Sequence, residues 1–310
     1  MKLEEIASFG APGRPVMRIV PSPGGQFLAL AYGDERTWNS EMFKGAALFR
    51  REAGNCVLVG ELPVASQQLF VVDDGHCAAV LSEYNQIEMV RYRVTASGLE
   101  QESRGDLLRG LDLFKPTLTL LPPGKELQME VTDRDDGHGW SDPVYTDYCQ
   151  RIDLATGKLV SEQPPGLHHR YLAPASPCVS TSDGGDWQKL KAIVQALPFR
   201  REWPRRVGPK CLLTTSRVID VQSGETLLGE LSDQAGPRRV FHDLSADEQW
   251  VAAVSREESF ELWSVPKKTC VSLDLSAQGG ARCAVFLDRG KIVVGTTSGE
   301  AVLLQAHAED

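Results

Sequence analysis

Val240–Leu275 reads VFHDLSADEQWVAAVSREESFELWSVPKKTCVSLDL, and this stretch decides the fold. Two apolar segments flank the turn-forming Leu244-Ser245-Ala246-Asp247 and read as a tight β-hairpin. Two more strand-like pieces, ELWSV and CVSLDL, flank Pro266-Lys267-Lys268. Four short antiparallel strands joined by tight turns make one self-contained sheet.

Working outward, the hairpin recurs as MRIVPSPGGQFLALAY, LFVVDDGHCAAVLS, LTLLPPGKELQMEV and CAVFLDRGKIVVGTT. With Pro23, Asp74, Pro123, Asp247 and Asp288 as turn markers, the intervals are 51, 49, 124 and 41 residues, the longest being about two units. Periods of this size, each holding several short strands, point to propeller blades rather than to helical solenoids, so six units fit the chain. The third unit continues with YCQRIDL and KLVSEQ around Ala155-Thr156-Gly157, the fourth with RVIDV and TLLGEL around Gln222-Ser223-Gly224.

The fifth unit resembles a WD-repeat or related propeller blade. Leu244-Ser245-Ala246-Asp247 falls where such families place a turn, and Leu262-Trp263-Ser264-Val265 falls at the place of a Trp-Asp-type strand end. The motifs D-L-A-T-G-K and D-V-Q-S-G-E extend the likeness to the third and fourth units. No unit opens on a Gly-His pair and Trp-Asp itself is absent, so the resemblance is to a divergent WD-repeat-like class. It implies a ring that binds peptides or small ligands along a rim.

The last unit provides three strands, and Leu3–Phe9 is expected to supply its fourth. The expected fold is therefore all-β: a single closed β-propeller over 1–310 with six four-stranded blades, seven being the alternative, and residues 1–10 as closing strand. The fourth unit carries an insert over about 182–210. There SDGGDWQKLKAIVQALP spaces Leu190, Ile193, Val194 and Leu197 at helical intervals, which predicts a short amphipathic helix. FRREWPRRVGPK follows as a basic loop.

Composition narrows the function. The 310 residues are 42% hydrophobic and 24% charged, an ordinary globular balance. Lys plus Arg is 33 against 42 for Asp plus Glu, and a net charge of −9 repels phosphate backbones and anionic lipid. No secretory signal opens the chain and no apolar run approaches a membrane span, so the expected address is cytoplasmic. Seven scattered cysteines without a CxxC pair suggest buried thiols rather than disulfides or zinc.

The insert is the leading candidate surface, because loops projecting from a rigid scaffold carry function and Arg and Trp are enriched at binding hot spots. Its expected partner-binding residues are Trp187, Arg200, Arg201, Trp203, Arg205 and Arg206, joined by Trp38 and Trp140 on two other long loops. Arg205 and Arg206 are expected to act as surface anchors whose loss weakens binding without lowering stability. Asp133, Asp135 and Asp136 precede Gly137 in a D-x-D-x-G arrangement that resembles the start of a calcium loop, since hard cations need carboxylate oxygens on a tight turn. The glutamate that would complete such a loop is missing.

No nucleophile elbow, zinc-protease helix, P-loop or dinucleotide fingerprint occurs. Of the six histidines only His168 and His169 are adjacent, and neighbours along a strand face opposite ways. His76 is expected in a turn and His242 in a structural role. The sequence therefore points to a non-catalytic protein-interaction platform, a subunit of a multi-protein assembly, with no cofactor. The alternatives are a hydrolase-like enzyme or calcium binder, and an inhibitor or immunity-type binding protein.

Overall fold

The computed structural model describes residues 2–11, 13–22, 24–33, 45–62, 68–71, 75–83, 86–109, 117–121, 126–135, 144–154, 156–168, 180–181, 204–229, 239–288 and 290–307. These residues form strands almost throughout. Strand β1 (Lys2–Gly10) comes first, and sheet I follows with β2 (Val16–Pro21), β3 (Phe27–Tyr32), β4 (Gly45–Glu52) and β5 (Asn55–Leu62). Sheet II holds β6 (Gln68–Val71), β7 (His76–Glu83), β8 (Gln86–Thr95) and β9 (Gly98–Arg109). Sheet III holds β10 (Thr117–Leu121), β11 (Glu126–Asp135), β12 (Val144–Asp153) and β13 (Leu159–His168). Sheet IV contains β14 (Ser180–Thr181), β15 (Pro204–Val207), β16 (Cys211–Thr214), β17 (Arg217–Asp220) and β18 (Thr226–Gly229). Sheet V contains β19 (Arg239–Leu244), β20 (Trp250–Ser255), β21 (Phe260–Ser264) and β22 (Cys270–Leu273). In sheet VI, β23 (Ala281–Asp288), β24 (Lys291–Thr296) and β25 (Glu300–His307) are joined by β1, which pairs antiparallel with β25 from Lys2↔His307 to Gly10↔Glu300.

Local turn chemistry fixes the hairpins. In D-L-A-T-G the Asp153 carboxylate accepts the Thr156 N–H (2.6 Å) and hydroxyl (2.7 Å), and in D-V-Q-S-G Asp220 does the same for Ser223 (2.6 and 2.9 Å). Gly157 and Gly224 follow at φ +69° and +77°, the left-handed conformation that closes each turn. A second motif opens sheets I and V: the Phe27 N–H donates to the Ser22 hydroxyl (3.1 Å), and the Trp250 N–H to that of Ser245 (2.9 Å).

Because successive side chains on a strand face opposite ways, each central strand feeds two cores. On β3, Phe27, Ala29 and Ala31 pack with Cys77, Ala79 and Val90 of sheet II, while Leu28, Leu30 and Tyr32 pack with Val293 and Leu303 of sheet VI. On β20, Ala252 and Val254 join Ile292 and Val294 of sheet VI, while Val251 and Ala253 join Cys211 and Leu213 of sheet IV. Sheets IV, V, VI, I and II thus stack face against face in that order. Small alanines at the crossings let neighbouring sheets approach closely.

The expectation of a single closed β-propeller needs correction. The chain is all-β, but the described strands fall into six separate small sheets, antiparallel apart from one strand pair, and none of them closes on itself. The strand ladders end at each sheet's edge strands, and neighbouring sheets meet through side chains and isolated bonds such as those from the Phe241 N–H to the Thr215 carbonyl (2.8 Å) and from the Ala281 N–H to the Glu258 carbonyl (2.6 Å). Repeat spacing reports how many units a chain contains; it carries no information on how their edges are joined. Sheet IV also departs from four strands, since β14 adds in parallel beside β15. A parallel pair cannot be joined by a tight hairpin, and β14 and β15 are accordingly far apart in the chain, ending at Thr181 and beginning at Pro204. The expected helix of the insert falls on residues outside those described. Among the described residues the helical content is one 3₁₀ turn at Ser276–Gln278, and no helix is long and apolar enough to cross a membrane.

Candidate functional site

The base of the 182–210 insert is where the expected binding residues and the described residues meet. Pro204–Val207 was expected in a basic loop; it forms β15, an inner strand of sheet IV paired with β14 and β16. Within β15 Arg206 is committed to the fold. Its Nη1 donates to Asp243 Oδ1 (2.7 Å) and to the Leu244 carbonyl (2.6 Å), both in sheet V. Asp243 also accepts the Leu244 N–H on Oδ1 (2.8 Å) and the Phe286 N–H of sheet VI on Oδ2 (2.8 Å). One largely buried carboxylate thereby joins three sheets. The guanidinium is about a quarter exposed and the carboxylate a tenth, at 26% and 10%, so Arg206 is a structural ion pair more than a surface anchor.

A second bridge lies beside the first. Glu248 ends the turn Ser245–Glu248 at φ +59°, a left-handed conformation that a side chain adopts only at a cost. The equivalent residue of the sister hairpin in sheet I is Gly25, at φ +66°. What Glu248 provides that glycine cannot is reach. Its Oε1 accepts the backbone N–H groups of Lys210 and Cys211 (3.0 Å each), the residues that enter β16. Gly208 makes room for it, because a Cβ there would overlap the Glu248 carboxylate. Burial, with the negative charges of Glu248 and Asp220 adding to it, pushes the neighbouring Cys211 thiol up to about 11.

At the border of the core between sheets IV and V, the Arg239 guanidinium lies 4.3 Å from the Trp263 ring centroid and its Nε 3.2 Å from Glu261 Oε2. The Trp263 indole N–H donates to that same carboxylate oxygen (2.7 Å). This cluster fills the position of the WD-like strand end. It is a packed structural element, part of the border of the cluster around Phe241 and Leu244.

The remaining expected site residues divide into two groups. Trp38, Trp140, Trp187, Arg200, Arg201, Trp203 and Asp136 lie outside the described residues. Arg205, Asp133 and Asp135 lie in described strands, Arg205 in β15 and the two aspartates in β11. Asp133 pairs with Thr146 and Asp135 with Val144 in a regular antiparallel ladder. Both sit on a hairpin arm, not on the tight turn a calcium loop requires. Among the described residues no three histidine, cysteine or acidic side chains gather to hold a metal ion. His76 begins β7 instead of lying in a turn, and His307 pairs with Glu4 across β25 and β1 (3.2 Å).

Sequence reasoning missed Asp243 and Glu248. A signal existed for Glu248: it occupies the turn position that glycine holds in SPGGQ. For Asp243 no local signal existed, since its partners are 37 and 43 residues away. The chain matches no protein-family model and no curated protein, so nothing identifies it with the WD-repeat family.

Proposed function

We propose that this chain is a non-catalytic protein-interaction platform of a cytoplasmic multi-protein assembly, and that its insert is the docking element. The observation that carries the reading is the double anchoring of the insert's exit. Arg206 bridges to Asp243 and Leu244, and Glu248 holds the amides of Lys210 and Cys211. Anchoring of this kind lowers the entropic cost of presenting a loop, so anchor side chains on it convert more of their contact into affinity. Trp187, Arg200, Arg201, Trp203 and Arg205 are the proposed contacts, with Trp38 and Trp140 as secondary ones. Arg206 is the support beneath them. Cys56, Cys77, Cys211, Cys270 and Cys283 are free thiols, which fits a reducing compartment.

Affinity purification of the tagged protein from its own host, followed by mass spectrometry, tests the reading. A partner recovered at near-equimolar ratio, and lost with Trp203→Ala while the melting temperature holds, is the expected result. A chain recovered alone overturns it.

A further inference from the structure

We infer that a row of β-bulges across sheets IV, V, VI and I binds an extended, acidic segment of the partner protein. This inference rests on the interaction-platform reading and names the partner's chemistry. Strands β15, β19, β23 and β2 lie side by side in that order, with Cα atoms of neighbours coming within 8 Å. Each of the four breaks register with the next strand of its own sheet. The residue left over at the shift is Arg205 in β15, His242 in β19, Arg282 in β23 and Met17 in β2. Strands β6 and β10, which open sheets II and III, pair without any shift. A bulge puts one residue outside the ladder and re-aims its side chain, and bulges concentrate beside functional sites.

Bonds between sheets set these bulges next to one another. Arg206 and Asp243, each the residue after a bulge, form the ion pair that joins β15 to β19. The thiol of Cys283, next to Arg282, donates to the carbonyl of Val16, next to Met17 (3.5 Å). Asp243 accepts the Phe286 N–H and so ties β19 to β23. The row is therefore continuous, and His242, Arg282 and Met17 on it are all partly exposed.

Charge and spacing select the occupant. Strands β2, β6, β10, β14, β15, β19 and β23 together carry five arginines against two aspartates, on a chain whose net charge is −9. Arg206 and Arg239 are held by Asp243 and Glu261, and Arg18, Arg205 and Arg282 keep the row positive. A guanidinium has five N–H donors, so it can serve the fold and a ligand carboxylate together. Same-face side chains of an extended chain recur about every 7 Å, close to the step from one bulged strand to the next. Alternate carboxylates can thus meet Arg205, His242 and Arg282 in turn, and Met17 offers an apolar contact at the end. One small anion cannot reach across all four strands. A nucleic-acid strand adds a phosphate charge about every 3.4 Å, more than these few cations can offset against −9.

Fluorescence anisotropy of a labelled Glu-Ala repeat peptide of about eight residues, titrated with the whole chain, tests the inference. Micromolar binding is expected, weakening about tenfold between roughly 50 and 500 mM NaCl. Arg205→Glu and Arg282→Glu should each weaken it about tenfold or more with unchanged circular dichroism. Lys267→Glu makes the same change in net charge on the exposed Pro266–Lys268 turn at the other end of sheet V, and should leave the affinity within about twofold. If Arg282→Glu fails to fold, Arg282→Gln is expected to weaken binding about threefold. A parent chain that does not bind the peptide overturns the inference. So do folded Arg205 and Arg282 variants that bind like the parent, and equal binding of a Lys-Ala peptide or a single-stranded oligonucleotide. A partner recovered at near-equimolar ratio while the peptide fails to bind overturns this inference alone and leaves the platform reading standing.

Discussion

Glu248 and Lys268 share one backbone conformation, at φ +59° and +55°, and replacing each by glycine is predicted to move stability in opposite directions. Left-handed φ costs a side-chain-bearing residue about 1 kcal/mol, which glycine relieves in both cases. At Lys268 little else is lost, because the residue is exposed on the Pro266–Lys268 turn and only its backbone N–H is bonded, to the Ser264 carbonyl. Lys268→Gly is therefore expected to stabilise by roughly 0.5–1 kcal/mol. At Glu248 the carboxylate leaves two amide donors behind. Exposed Lys210 can turn its N–H to water at a cost of ~0.5 kcal/mol, but the Cys211 N–H is buried, and orphaning it costs ~2 kcal/mol. The hydrogen bonds outweigh the strain. Glu248→Gly is expected to be about 1.5–2 kcal/mol less stable, a fall of roughly 2–3 °C in melting temperature for a chain of 310 residues. Thermal and urea denaturation of the two variants beside the parent protein check the pair. A Glu248→Gly protein as stable as Lys268→Gly would refute the reasoning, since strain and not the inter-sheet bond would then dominate that turn.

Two other predictions concern the same junction and the buried thiols. Arg206→Ala should cost about 2 kcal/mol, below the full price of an orphaned buried charge because Asp243 keeps two backbone donors; Arg205→Ala should weaken partner binding at little cost in stability, and equal losses from both would count against their separate roles. Burial pushes the Cys77 thiol up to about 12, and Cys56 and Cys211 to about 11. The fold holds these thiols neutral while the unfolded chain ionises them from about pH 8.5, so their contribution is intact below that pH and is lost as pH rises toward 11–12. Urea midpoints measured between pH 7 and 11 should fall above pH 9, and Cys77→Ala should shallow that fall; a flat profile in the parent protein would contradict the assignment.

How much of this was legible beforehand follows from the range over which each feature is encoded. The hairpins of Val240–Leu275, of Asp153–Gly157 and of Asp220–Gly224 are written in a few consecutive residues, because a carboxylate or hydroxyl bonding two or three residues on, and a glycine at positive φ, determine a turn without outside help. The unbroken apolar run Phe27–Tyr32 likewise marks a strand buried on both faces. The sequence by itself thus determined the all-β class, the repeated short strands and the pairing of neighbours within a unit. Only the tertiary structure decided that the units remain six separate sheets, that β14 adds in parallel, and that Pro204–Val207 is a strand. It also decided that Arg206 turns inward to Asp243 and that Glu248 reaches across to Cys211. Such contacts join residues some 37 positions apart, and no local periodicity registers them. They exist because a buried charge or amide must find a partner in whichever sheet packing brings alongside.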